Sequence, residues 1–101
     1  MSGNLRKPIN IVAVGERQGS ASAVQLPTIA GSLIYIKAVA SNAGNVYIGL
    51  SGVTKVNGTT DTTTGLELNP GDMITLPIAS LGDLYMICDN AGDDITYMVF
   101  G

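Results

Sequence analysis

Ile87-Cys88-Asp89-Asn90-Ala91-Gly92-Asp93-Asp94-Ile95-Thr96-Tyr97-Met98-Val99-Phe100 reads as strand, turn, strand. Its β-branched and aromatic residues suit a pleated, half-buried surface, and the polar centre holds a glycine, which takes a left-handed backbone without a Cβ penalty. A second copy of the pattern stands upstream, Val39-Ala40-Ser41-Asn42-Ala43-Gly44-Asn45-Val46-Tyr47-Ile48, with the same Asn-Ala-Gly centre. Each copy is expected to be a hairpin whose type I turn ends in a left-handed glycine. Asn69-Pro70-Gly71-Asp72 is a third turn, because proline presets φ at its second position and glycine supplies positive φ at its third. On that reading Leu66 and Leu68 enter one hairpin arm and Met73, Ile74 and Leu76 leave by the other.

Extended outward, the same signals recur along the chain. Thirteen glycines, four prolines and nine threonines punctuate short apolar segments. Expected strands are Ile9 to Val14, Ala23 to Ile29, Leu33 to Val39, Asn45 to Ile48, Gly65 to Leu68, Asp72 to Ile78, Asp83 to Cys88 and Asp94 to Phe100. No window sustains helical periodicity, so no helix longer than a turn is expected. The fold class is all-β: a compact antiparallel β-sandwich or small jelly roll of about eight strands. Residues 9–101 form the single β-sandwich domain, and residues 1–8 a short N-terminal arm.

Apolar and aromatic side chains fall on both parities of Leu84 to Cys88 and of Ile95 to Phe100. A monomeric sandwich should alternate apolar inward with polar outward. A chain of 101 residues has material for one two-layer core and none to cover the outer face of a sheet, so a second copy is the expected cover.

Composition narrows the function. Charged residues are 13% of the chain and hydrophobic ones 46%, which is too apolar for disorder. The net charge of −3 repels phosphate backbones and anionic lipid, so neither nucleic acid nor membrane is an expected partner. No apolar run approaches the roughly 20 residues of a membrane span, and Met1 to Pro8 lacks a secretion-signal pattern. The absence of His and the single Cys remove the usual general base, the commonest metal ligand and any intrachain disulfide. The protein reads as no enzyme and as needing no cofactor.

Particular motifs agree. Gly49-Leu50-Ser51-Gly52-Val53-Thr54-Lys55 lacks the Gly-Lys-Ser/Thr ending of a phosphate loop, and no helix follows it. Asp89, Asn90, Asp93 and Asp94 cluster oxygens that a hard cation could use, but not at the spacing of a calcium loop, and the segment reads as an acidic turn. Cys88 has no histidine to make it a thiolate and reads as a buried structural thiol. Ser51 to Gly65 is the longest polar stretch and reads as an exposed loop, with Asn57-Gly58 able to close a tight hairpin; Thr54, Lys55, Asn57, Thr59 and Asp61 are its candidate contact residues. Asn57-Gly58-Thr59 matches a glycosylation sequon, which carries no weight without secretion. Arg6 and Lys7 make a basic arm ahead of Pro8 that could lie on an acidic neighbour.

Asn45-Val46-Tyr47-Ile48-Gly49, Ser51-Gly52-Val53-Thr54, Gly65-Leu66-Glu67-Leu68-Asn69-Pro70-Gly71-Asp72 and Asp83-Leu84-Tyr85-Met86-Ile87 together resemble small β-sandwich virion proteins of tailed bacteriophages. The likeness covers roughly residues 33 to 101 and contains no catalytic signature. It implies a capsid decoration, or cement, protein. Such a protein binds the major capsid protein as a homo-oligomer, most often a trimer at three-fold sites, on the exterior of a virion assembled in the bacterial cytoplasm. On that reading Leu5, Arg6, Lys7 and Pro8 contact the capsid lattice. The same modules occur on tails and fibres, where the Ser51 to Gly65 loop would meet a host glycan. That alternative needs exposed aromatics among Tyr35, Tyr47, Tyr85 and Tyr97.

Overall fold

The computed structural model describes residues 9–101. The arm assigned to residues 1–8 and the capsid contacts assigned to Leu5, Arg6, Lys7 and Pro8 lie outside the described residues.

Eight strands run in chain order: β1 Ile11–Gln18, β2 Val24–Gln25, β3 Leu33–Ala38, β4 Val46–Gly49, β5 Leu66–Leu68, β6 Met73–Leu76, β7 Tyr85–Cys88 and β8 Asp94–Phe100. They form two four-stranded antiparallel sheets of order β1-β8-β3-β6 and β2-β7-β4-β5. First pairs with last, second with seventh, third with sixth and fourth with fifth. The chain is therefore one long hairpin, tipped by the β4–β5 loop and rolled up so that β8 also pairs β3 and β7 also pairs β4. That is the jelly-roll member of the expected sandwich class.

The core lies between the sheets. Ile34, Ile36, Ala38, Ile95 and Val99 point inward from the first sheet, and Val46, Ile48, Leu68, Met86 and Cys88 from the second. Leu26 and Leu81 close one end, Leu81 from a single 3-10 turn at Leu81–Asp83 whose Gly82 amide donates to Ser80 Oγ at 3.1 Å.

Three expectations need correction. The two Asn-Ala-Gly turns and the Asn-Pro-Gly-Asp turn are not hairpins, because each carries the chain from one sheet to the other. Turn chemistry reverses the chain in either case, and long-range pairing decides whether the next strand joins the same sheet. Of the two Asn-Ala-Gly glycines, only Gly92 has positive φ, at 98°. Gly44 is required by crowding: a Cβ there would stand 2.7 Å from both Asn90 Nδ2 and Asp89 Cβ. The first strand extends through Gly15-Glu16-Arg17-Gln18, polar residues on a sheet edge, while the second shrinks to two residues before Leu26-Pro27.

Candidate interaction surface

Three polar or two-faced features stand out in the sequence, and the structure gives each a different place. The acidic segment is a lock between arches. Asp93 is buried, with 4% of its surface exposed. Its Oδ1 accepts from the Ala43 amide at 2.9 Å, and its Oδ2 from the Gly44 amide at 3.2 Å and Asn90 Nδ2 at 3.3 Å. Asn42 reciprocates, donating through Nδ2 to the Asp94 carbonyl at 2.9 Å and accepting from the Asp94 amide at 3.0 Å. Asp89 accepts from the Asn45 amide at 2.9 Å and from the Tyr47 hydroxyl at 3.1 Å. The two Asn-Ala-Gly arches are thus stitched side by side. Among the described residues no group of three or more acidic, Cys or His side chains is arranged to hold a metal ion.

The Ser51 to Gly65 loop folds back on the second sheet. Tyr47 points away from the core yet is only 3% exposed, and Val53 is 5% exposed. Loop and strand touch closely, since a Cβ on Gly65 would lie 2.9 Å from Tyr47 Cβ and 2.4 Å from the Thr54 carbonyl oxygen. Burial first, and then the hydrogen bond to Asp89, hold the Tyr47 phenol above the usual tyrosine range. Threonines tie the two legs together: the Thr64 amide donates to Thr54 Oγ1 at 2.9 Å and the Thr64 hydroxyl to the Gly52 carbonyl at 2.9 Å. At the tip Asn57 Oδ1 accepts from the amides of Thr59 at 2.9 Å and Thr60 at 3.1 Å, and Gly58 takes φ of +71°. Of the candidate contact residues, Thr54, Asn57 and Thr59 hold the loop's own shape, Lys55 is half-buried and Asp61 is exposed. The expectation that this chain has nothing with which to cover a sheet fails for this one.

Among the described residues it holds for the first sheet. Register places Ile11, Phe100 and Leu33 in one outward row, and Val14, Met98, Tyr35 and Thr75 in the next. Glu16, Thr96, Lys37 and Met73 form a third. Val14 is 64% exposed, Ile11 59% and Met73 58%. A shallow groove runs between Val14, Tyr35, Lys37, Met73, Thr96 and Met98. Tyr35 meets Phe100 edge to face, with ring centroids 5.1 Å apart. The two-faced strand β8 pointed to this surface; the contribution of Val14 and Met73 needed the register.

Cys88 is fully buried, and its thiol lies 3.7 Å from the Asp93 carbonyl. Desolvation, with a smaller contribution from the Asp93 charge, pushes it up from 9.0 to about 11. Native protein at pH 8 is expected to react with a thiol-specific disulfide reagent only as fast as it opens, and at once in denaturant. Fast labelling of native protein would contradict this burial. Because the folded state holds this proton more tightly than the unfolded one, Cys88 contributes stability in full below pH 9, and that contribution is lost as pH rises through about 11.

No helix among the described residues is long and apolar enough to cross a membrane. Comparison of the chain with protein-family models, with curated proteins and with solved structures finds no match in any of the three.

Proposed function

We propose that this protein is a non-enzymatic structural component of a tailed-bacteriophage particle, which decorates and stabilises the capsid by binding major capsid protein subunits as a homo-oligomer. The observation that supports the reading is the apolar outer face of the first sheet, which nothing among the described residues covers, in a chain whose own loop covers part of the other. Contiguous apolar surface on a small domain marks a protein contact. The motif resemblance supplies the setting, the capsid exterior, after synthesis in the host cytoplasm. The reading needs no cofactor, no nucleic acid and no membrane.

The glycan-binding alternative gains nothing from the fold. Tyr47 lies under the loop, Tyr97 points inward beneath Gly15, Tyr35 and Phe100 stand edge to face, and Tyr85 is half-buried on the other sheet, so they offer sugars no flat platform. Co-sedimentation with assembled shells of the phage whose genome encodes the chain tests the proposal. The protein is expected to pellet with shells, to bind unassembled capsid subunits weakly, and to raise the temperature at which shells disrupt. Pelleting no better than an unrelated β domain, with shells equally heat-resistant without it, would overturn the proposal.

A further inference from the structure

From the charge pattern of the first sheet's outer face, we infer that two copies of this chain pair through that face, about a two-fold axis running along β8. The inference rests on the homo-oligomer part of the proposed function and is independent of the capsid part.

The face carries three charged side chains: Glu16 on β1, Lys37 on β3 and Asp94 on β8. Glu16 and Lys37 share one row with Thr96 between them, so they flank β8 symmetrically, each one strand spacing of about 4.8 Å away. A rotation about an axis along β8 exchanges left and right and keeps the position along the strand. It therefore sets Glu16 of each copy over Lys37 of the other, twice. The same rotation sets Val14 over Tyr35 and Ile11 over Leu33, and brings Met98, Phe100 and Thr96 onto themselves. Apolar meets apolar, and Glu16 and Lys37 each meet their opposite.

Charge also chooses between placements. Centring the axis between β8 and β3 would cover all four strands, but would put Glu16 over Met73 and Lys37 over Thr96, leaving two charges desolvated and unpaired. The placement along β8 avoids that. It also sets a cation over a crowded pair of carboxyls in the single chain, where hydrogen bonding to Asp94 first, and then its charge, raise the Glu16 carboxyl above its usual range. Asp94 is the one opposed group, since the axis brings it near its own copy at the end of the face.

Size sets the strength. On the β8 axis three strands overlap, β1, β8 and β3; at about 4.8 Å spacing and a mean length of about 24 Å they give a footprint of about 350 Å² per copy, about 700 Å² in total, the size of a weak, transient contact. The resemblance to decoration proteins implies a trimer, so the inference departs from it in symmetry.

Sedimentation equilibrium of the intact chain tests the pairing, with circular dichroism melting curves confirming that each variant is folded. Wild type is expected to be monomeric at tens of micromolar and to form the dimer as the concentration approaches millimolar. E16K and K37E should each weaken it at least tenfold. An equimolar mixture of E16K with K37E should restore a dimer, because the two like-charged faces are then opposite in sign, and the E16K/K37E double variant should restore it within one chain. D94N should tighten it. Wild type that stays monomeric at millimolar concentration, single variants that pair as well as wild type, a mixture that fails to recover, or D94N without effect would each overturn the two-fold contact. A trimer would overturn it too, while leaving capsid decoration standing. Loss of shell binding with the dimer intact would overturn decoration and leave the pairing.

Discussion

Replacing Asp93 with Ala is expected to lower the unfolding free energy by about 3–5 kcal/mol, because one buried carboxylate satisfies two backbone amides of the neighbouring arch. Hydrogen bonds to a charged acceptor contribute about 1.5–3 kcal/mol each, and two of them are lost here. The loss is a large part of the roughly 5–15 kcal/mol that holds a domain together. Asn at the same position keeps one acceptor and should lose less. Urea denaturation followed by far-ultraviolet circular dichroism reads the effect as a lower midpoint at unchanged slope. A loss under about 1 kcal/mol would mean that the arches do not depend on each other through this group.

Gly65→Ala has the second largest expected effect, about 1–3 kcal/mol, and a local signature. The added methyl would stand 2.4 Å from the Thr54 carbonyl oxygen and 2.9 Å from Tyr47 Cβ. Since one neighbour is backbone and the other is fixed on β4, the loop itself must lift. Tyr47 then becomes exposed and loses the cover that shields its bond to Asp89. Limited trypsin digestion should cut at Lys55 faster than in wild type. Gly52→Ala is the control, since nothing lies within 4 Å of a Cβ there, and it should leave both stability and cleavage unchanged. Equal behaviour of the two variants would show that the loop does not seal the sheet.

The strands were legible because β-branched and aromatic residues between turn signals have few other uses. Their assignment to sheets was not. Asn90-Ala91-Gly92 has the chemistry of a hairpin turn and acts as an arch between sheets, because β8 finds better partners in β1 and β3 than in β7. Gly44 and Gly92 share a motif for unlike reasons, one steric and one conformational, which three letters cannot distinguish. Glu16 and Arg17 hid the second half of β1, since an edge strand tolerates polar residues that a central strand would not. Of the interaction surface, Met98 and Phe100 were legible as apolar residues on the wrong parity. The row of Glu16, Thr96 and Lys37 was not, because it joins three strands far apart in sequence. The loop's cover over Tyr47 was hidden for the opposite reason: a polar, threonine-rich stretch gave no sign that Val53 would be buried beneath it.

Methyl NMR of methionine-labelled protein tests most directly whether the first sheet's outer face is a protein-binding surface. Met98 lies near the middle of that face and Met73 at its rim, while Met86 is fully buried in the core and reports on the fold alone. As concentration rises from micromolar to millimolar, the Met98 signal is expected to shift most, Met73 less, and Met86 not at all. Signals from Met98 and Met73 that stay fixed over that range would contradict the account.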